Sequence, residues 1–336
     1  MVEKKSLLVG DVGEFGLIER ITAGFSGSRD VLLGPGDDAA LVATTDGSVV
    51  VTTDLLVEGR HFRLDWSTPY DVGRKAAAQS LADVAAMGAR PTALLVGFAA
   101  PPHLPVEVAE DIAAGLAAEC RGIGCSVVGG DVVRADALLL AVTALGALDG
   151  RAAVRRDGAQ EGDRIVVAGS LGGSAAGLAA FTGGEASAAP AELLATHRRP
   201  SPPYAAGPLL NEAGATAMVD SSDGFAADLD HVLRASGVGA VVDVARLPRH
   251  SGLESQWAAS HGESVVTGWV TSGGEDHALI ATLPPTAFSA AVEALAAVGI
   301  PLVEVGEVVS GAGTRWTGLP ERAPEPGGFD HFGAAT

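Results

Sequence analysis

Short apolar runs rich in β-branched residues alternate with Ala-rich stretches of helical period along almost the whole chain. This alternation limits the available folds more than any single motif does. The spacing predicts a helix over Glu14–Ile21, an apolar run at Ala39–Ala43 and a strand at Ser48–Thr53. A helix follows over Pro69–Met87, stopped by Gly88, then a strand at Pro91–Ala99, a helix over Val106–Arg121, and strands at Ser126–Val128 and Ala137–Leu145. The pattern restarts near Leu148-Asp-Gly-Arg151. Arg164–Ala168 is a buried-strand candidate that runs into a Gly/Ser/Ala-rich stretch and a helix, and residues 182–190 are small and polar, as in a surface loop. Further strands are expected at Ala215–Val219, Gly239–Val244, Val265–Val270 and His277–Thr282, with helices over Phe225–Ser236 and Thr286–Val298. A chain of 336 residues holds two domains at about 150 residues each, so the expectation is an α/β (α+β mixed) protein with domains 1–148 and 149–336.

Charge removes several function classes. The formal net charge is −19, which disfavours general nucleic-acid and anionic-membrane binding, because both need a basic surface. Lysine occurs only at Lys4, Lys5 and Lys75, none of them after a glycine, so the Gly-Lys-Ser/Thr phosphate loop is excluded. His-Arg-Asp and Asp-Phe-Gly, the marks of protein kinases, are absent. Two cysteines, Cys120 and Cys125, are too few for a zinc site or a disulfide framework and fit a reducing compartment. The longest nearly apolar run, 137–148, is too short to span a bilayer, and the N-terminus lacks a signal-peptide core. The expected setting is cytoplasmic.

The aspartates carry the chemistry. They stand beside glycines and hydroxyl residues at the expected ends of apolar runs: Gly36-Asp-Asp38, Thr52-Thr-Asp54, Gly129-Gly-Asp131 and Asp220-Ser-Ser-Asp-Gly224. Asp83 lies on the expected helix 69–87, where Lys75, Gln79 and Asp83 recur every four residues as one polar stripe among alanines. One such aspartate is ordinarily a turn or cap residue, but five sites with the same surroundings suit hard-oxygen coordination of Mg²⁺ and phosphates. Gly169-Ser-Leu-Gly-Gly-Ser-Ala-Ala-Gly177 follows a strand and opens a helix, either as a tight turn or as a ring of N–H groups for phosphate. Ser272-Gly-Gly-Glu-Asp276 is a turn or a source of a site carboxylate, and His61 is a loop histidine or a ligand contact. On residues alone this is a Mg²⁺-dependent phosphate enzyme of undefined substrate.

In order along the chain, Gly13-Glu-Phe15, Gly34-Pro-Gly-Asp-Asp-Ala39, Thr53-Asp54 with Glu58-Gly-Arg-His-Phe62, and Ser80-Leu-Ala-Asp-Val-Ala-Ala-Met-Gly-Ala89 come first. Gly129-Gly-Asp131, Ser222-Asp-Gly224, Ser272-Gly-Gly-Glu-Asp276 and Gly328-Phe-Asp-His-Phe332 follow. Together they resemble the thiamine-monophosphate kinase family of the AIR-synthetase-like ATP-binding superfamily, from about residue 13 to residue 332. The resemblance implies ATP- and Mg²⁺-dependent phosphorylation of thiamine monophosphate to thiamine diphosphate, the last step in making that cofactor. It also implies a homodimer whose N-terminal sheets pair across the two-fold, with a C-terminal α/β domain.

By the same resemblance the metal ligands fall on Asp38, Thr52, Thr53, Asp54, Asp83, Asp131, Asp220 and Asp223. ATP contacts fall on Gly130, Asp131, Ser222 and an arginine, Arg156 or its neighbour Arg155, and substrate contacts on His61, Glu275 and Phe329. Thr52 stands where a serine is common and keeps the hydroxyl. The family's arginine after the second proline of Arg199-Pro-Ser-Pro-Pro203 is missing, and its tyrosine near the adenine has no counterpart around 110–120. The acceptor is a phosphate already ionised at neutral pH, so the expected site is rich in metal ligands and has no general base. Rivals are a sister enzyme (AIR synthetase, selenophosphate synthetase or the hydrogenase-maturation dehydratase) and a non-catalytic nucleotide or metal sensor. The first cysteine at Cys120 and the closing Phe332-Gly-Ala-Ala-Thr336 speak against the two cysteine-dependent sisters.

Overall fold

The computed structural model describes residues 7–25, 27–33, 41–44, 46–320 and 326–328. The chain divides into two compact units, residues 1–84 with 91–149 and residues 85–90 with 150–336. The first contains α1 (Val9–Thr22), a ribbon of β1 (Val31–Leu33) and β2 (Leu41–Val42), β3 (Val50–Val57), α2 (Pro69–Ala86), β4 (Arg90–Ala100), α3 (Val106–Gly122), β5 (Ser126–Arg134) and β6 (Leu139–Ala147). Its main sheet has the order β3-β6-β4-β5, with β3 antiparallel to β6 and β4 parallel to β5.

Helix α2 positions the chemistry, and its ends are chemically defined. Thr68 is the N-cap: its Oγ1 accepts from the Asp71 N–H at 3.1 Å, and Asp71 Oδ2 accepts from the Thr68 N–H at 3.3 Å, a reciprocal capping box around Pro69. At the far end Gly88 takes φ +73 and its N–H closes on Ala85 O at 2.8 Å. Between them Val72, Ala76, Ala77, Ala78, Leu81, Ala82 and Val84 are all fully buried. Small side chains let α2 and α3 come into backbone contact. A Cβ on Gly73 would lie 2.0 Å from Ile112 O, and one on Gly115 2.2 Å from Tyr70 O.

Strand β3 extends beyond the expected Ser48–Thr53 to Val57, and β5 extends beyond Ser126–Val128 to Arg134. Asp54 and Asp131 therefore lie within strands, opposite Val142 and Gly97, rather than at strand ends. Ladder pairing with β6 and β4 overrides the low strand propensity of Asp and Gly.

The second unit contains β7 (Arg164–Ala168), α4 (Gly173–Thr182), α5 (Ala191–Arg198), α6 (Ala206–Ala213), β8 (Ala217–Asp220), α7 (Phe225–Ser236), β9 (Gly239–Asp243), α8 (Gln256–Ser260), α9 (Glu263–Ser272), β10 (Leu279–Leu283), α10 (Phe288–Ala296), β11 (Leu302–Val309) and β12 (Gly313–Thr317). Its sheet order is β12-β9-β11-β7-β10-β8, antiparallel except for the β12–β9 pair. Both faces are covered. Ile165 and Val167 of β7 join a core with α7 and α9, while Val166 and Ala168 join another with α6 and α10.

Val265–Val270, expected as a strand, belongs to helix α9. Its β-branched residues suggest β structure, but Val266, Thr267, Val270 and Thr271 are buried at helical spacing, where α9 packs on α4 and α7. Tertiary packing outweighs the small propensity cost. Helices α5 and α6 and strands β11 and β12 have no counterpart in the sequence reading; Glu304, Gly306 and Glu307 interrupt the apolar run of β11.

Replacing Gly115 by Ala is expected to lower the unfolding free energy by about 1–3 kcal/mol, because the methyl group has no space against Tyr70 O. Gly122→Ala at the open end of α3, where a Cβ would meet nothing within 4 Å, is expected to be neutral or stabilising. Urea unfolding of the two variants measures the contrast.

Candidate active site

In the first unit the candidate ligands are held by a cross-pairing between β3 and α2. Thr52 and Asp54 are two residues apart and share one strand face. Ser80 and Asp83 are three apart and share one helix face. Thr52 Oγ1 donates to Asp83 Oδ2 at 2.8 Å, and Ser80 Oγ donates to Asp54 Oδ2 at 2.8 Å. Lys75, two helical turns before Asp83 on the same stripe and almost wholly buried, donates from Nζ to His61 O at 3.1 Å. His61 Nδ1 accepts from the Val57 N–H at 3.0 Å, so the neutral ring carries its proton on Nε2.

Thr53 takes the opposite face of β3. It is exposed, donates to Val142 O at 3.2 Å and accepts from Thr143 Oγ1 at 3.1 Å. Asp131 is exposed on the edge strand β5. Beside it Gly130 is obligatory, since a Cβ there would lie 1.9 Å from Val96 O. Asp38 and Phe329 fall outside the described residues.

The donors gathered at the β3–α2 seam are carboxylate and hydroxyl oxygens, hard ligands that fit Mg²⁺ and not a soft metal. Among the described residues no group of three His, Cys, Asp or Glu side chains stands in metal-holding geometry.

In the second unit two turns are joined by backbone hydrogen bonds. The first follows β8 as Asp220-Ser-Ser-Asp-Gly224, and the second is Gly273-Gly-Glu-Asp-His277 before β10. Ser222 O accepts from the Glu275 N–H at 2.8 Å, Ser221 O from the His277 N–H at 2.9 Å, and Ala278 O from the Ser221 N–H at 2.7 Å. His277 Nδ1 lies 2.9 Å from Asp220 Oδ2. Glu275 and His277 both have left-handed backbones, φ 66 and 53, the kind of strain that collects at functional turns. Ser222 and Glu275, candidate contacts for two different ligands, thus sit in adjoining turns.

Two further carboxylates are buried here: Asp228, which no motif marks, and Asp276, which closes the Ser272–Asp276 motif without an assigned role. Asp228, buried in the first turn of α7, accepts from the Asp223 and Gly224 N–H groups, each at 3.0 Å. Burial first, then the charge of Asp220, pushes its carboxyl up to about 7. Asp276 accepts from the Gly172 N–H at 2.6 Å and the Ser174 N–H at 2.9 Å, at the N-terminus of α4. The Gly169–Gly177 loop thus presents these two donors to the protein's own carboxylate rather than to phosphate. Of the two candidate arginines, Arg155 is ion-paired with Asp157, and the Arg156 carbonyl accepts from Ser236 Oγ at 2.9 Å.

Comparison with known proteins matches both halves of the chain to one family. The N-terminal domain of AIR synthase related protein matches residues 36–148, and its C-terminal domain residues 160–317. This is the AIR synthase related class. Within it, the chain is 49% identical to the thiamine-monophosphate kinase of Mycobacterium tuberculosis over 270 residues, 80% of each chain. It is 34% identical to that of Salmonella typhimurium over 328 residues, 95% of this chain and 98% of the relative. The chain belongs to the thiamine-monophosphate kinase family. The crystal structure of the Stenotrophomonas maltophilia kinase matches with TM-score 0.79 and 35% identity, covering 90% of this chain and 96% of that one. The AaThiL complex with AMPPCP and TMP matches with TM-score 0.75 and 29% identity over 98% of this chain and 100% of that one. Escherichia coli HypE shares the fold alone, at 20% identity and TM-score 0.72 over 92% of this chain and 97% of that one.

The carboxyl of Asp276 is raised from 3.8 to about 7, chiefly by burial. Its stabilising contribution is full below about pH 4, where the group is protonated folded and unfolded, and is lost as pH rises through about 7. Asp276→Asn is expected to remove this dependence, so wild type loses melting temperature relative to the variant between pH 5 and 8 in parallel thermal scans.

Proposed function

We propose that this chain transfers the γ-phosphoryl group of ATP to thiamine monophosphate, giving thiamine diphosphate and ADP. The observation carrying this reading is the near full-length match to the AaThiL structure that holds AMPPCP and TMP. An acceptor phosphate oxygen forms the new P–O bond as the bond between the γ-phosphorus and the β–γ bridging oxygen breaks. The acceptor oxygen is already an anion, so no side chain needs to remove a proton.

The physical obstacle is repulsion between two anions, several kcal/mol at close range and an effective dielectric near 20. Bound Mg²⁺ supplies the charge neutralisation and alignment for in-line transfer. Asp54, Asp83 and Thr52 at the β3–α2 seam, Thr53 and Asp131 elsewhere on the same sheet, and Asp220 and Asp223 in the second unit would hold several such ions, with Asp38 assigned to the same role. Ser80 and Thr52 fix the carboxylates that they hydrogen-bond. His61, locked by Val57 and Lys75, offers Nε2–H as a donor to the acceptor. Gly130, Ser222 and Arg156 are assigned to ATP. Glu275 and Phe329 are assigned to the thiamine moiety, whose thiazolium is a fixed cation.

A homodimer belongs to the same proposal. Val51, Leu55, Leu95 and Val133 are 61%, 56%, 37% and 49% exposed. Leu55 pairs with Ala141, whose Cβ lies 3.3 Å from where a Cβ on Gly97 would stand; the residues flanking Gly97 at alternate positions place Leu95 on that side. This open face of the sheet is largely apolar, with Thr53 between Val51 and Leu55 and Asp131 opposite Gly97 as its polar members, and a second copy of the same sheet is its proposed cover.

ADP release is expected with ATP, Mg²⁺ and thiamine monophosphate, with thiamine diphosphate as product, and free thiamine is the parallel control. Turnover with neither acceptor while ATP still binds would transfer the case to a sensor or a sister activity. Asp54→Asn and Asp131→Asn are each expected to cut turnover by about 100-fold or more with melting temperature preserved. Leu55→Asp is expected to shift the sedimenting species from dimer to monomer; a wild-type monomer would remove the dimer from the proposal.

A further inference from the structure

His197 stands at the C-terminal end of α5, outside every motif of the sequence, and is 6% exposed. Its Nδ1 lies 3.2 Å from Ser174 Oγ and 3.6 Å from Glu275 Oε2. The ring is seated by its surroundings: the Phe181 ring is 5.8 Å away centroid to centroid, and Gly177 leaves the room it needs, since a Cβ there would lie 2.8 Å from the His197 Cβ. A carboxylate oxygen so near Nδ1 favours the proton on that nitrogen, because a lone pair facing an anion would repel it.

Glu275 has little backbone freedom. Its φ is 66, its N–H is bound to Ser222 O, and a Cβ on the preceding Gly274 would lie 2.5 Å from the same oxygen. The turn therefore fixes where the side chain starts, and its carboxylate, 32% exposed, ends 3.6 Å from His197 Nδ1, an electrostatic contact longer than a hydrogen bond. The structure brings the Nδ1 edge of a buried imidazole near that carboxylate, and the imidazole is itself tethered to the first turn of α4 through Ser174.

We infer that His197 is a positioning residue for substrate binding: its Nδ1 side orients the Glu275 carboxylate toward the cationic ring of the acceptor. The inference rests on the reading that Glu275 meets the substrate. A carboxylate held in its binding orientation loses less side-chain freedom when the substrate arrives, so the effect falls on acceptor binding and not on the transfer step.

The test uses the chemistry of the nitrogen involved. Asparagine places its amide group where Nδ1 stands, whereas glutamine reaches toward the position of Nε2. His197→Asn is expected to keep KM for thiamine monophosphate within about twofold of wild type. His197→Gln and His197→Leu are expected to raise it about tenfold, with kcat and the KM for ATP within about twofold. In a Glu275→Gln background His197→Leu is expected to add nothing. Ser174→Ala, which frees the imidazole without opening the core, is expected to move KM in the same direction by less. It replaces the leucine variant should that one not fold. Equal behaviour of Asn and Gln variants, an unchanged KM in His197→Leu, or additivity with Glu275→Gln would each overturn the inference while leaving the kinase reading intact. A wild type inactive on thiamine monophosphate would instead overturn the reading itself. An active wild type with Glu275→Gln unchanged in KM would remove Glu275, and His197 with it.

Discussion

The chemistry of the first unit depends on a half-buried seam where α2 meets β3. The buried residues of α2 are mostly alanine, valine and leucine, which pack without direction. Direction comes from polar contacts set into it, Thr52 to Asp83, Ser80 to Asp54 and Lys75 to the His61 carbonyl. Asp54 and Asp83 are half-buried and lose part of their hydration there, so each contact also favours the register in which helix and strand meet. A slip of one residue along β3 would carry Asp54 to the face that Thr53 now occupies and leave Ser80 without its acceptor. Sheet register and ligand geometry are thus decided by the same few hydrogen bonds.

The second unit solves a related problem with backbone instead of side chains. The turns at 220–224 and 273–277 hold one another through main-chain bonds, and that mutual support sustains the left-handed conformations at Glu275 and His277. Asp228 and Asp276 are used as internal caps for α7 and α4. Both are buried deeply enough to be pushed up to about 7, so negative charge is placed in this region at a cost in stability. A site for phosphates gathers carboxylates only with compensation from metal ions or donors, and helix N-termini supply part of it here. In the proposed mechanism the same logic extends to His197, whose Nδ1 lies 3.6 Å from Glu275 Oε2.

Much of this was legible in the linear pattern. The helix over Phe225–Ser236 matches its expected limits, and α2 and α3 match theirs within a residue, because each joins a clear apolar stripe to a capping or stopping residue. The recurrence of Lys75, Gln79 and Asp83 marks the polar face of α2 in the sequence, and the fold supplies its partners. Val265–Val270 was misleading because local β propensity is weak beside the burial of a helical stripe. Helix α5, and His197 with it, was missed although Pro190 precedes it, Glu192 opens it and His197-Arg198 close it, an order that suits the helix dipole. Its sequence lacks the long apolar stripe that would have drawn attention. Asp276 is adjacent to the flagged Glu275, yet its role depends on Gly172 and Ser174, a hundred residues away in sequence.

The sequence by itself determined the kinds of chemistry available. It supplied aspartates and hydroxyls instead of a P-loop lysine, the alternating α/β plan, and glycines at places such as Gly130 and Gly73 where no larger residue fits. These follow from composition and local period, which a chain carries whether or not it is folded. Only the tertiary structure decided which carboxylate meets which hydroxyl, which helix N-terminus is taken by an internal acid, and which histidine stands beside Glu275. Those choices are contacts between residues far apart in sequence, and they exist only once buried polar groups must find partners away from water.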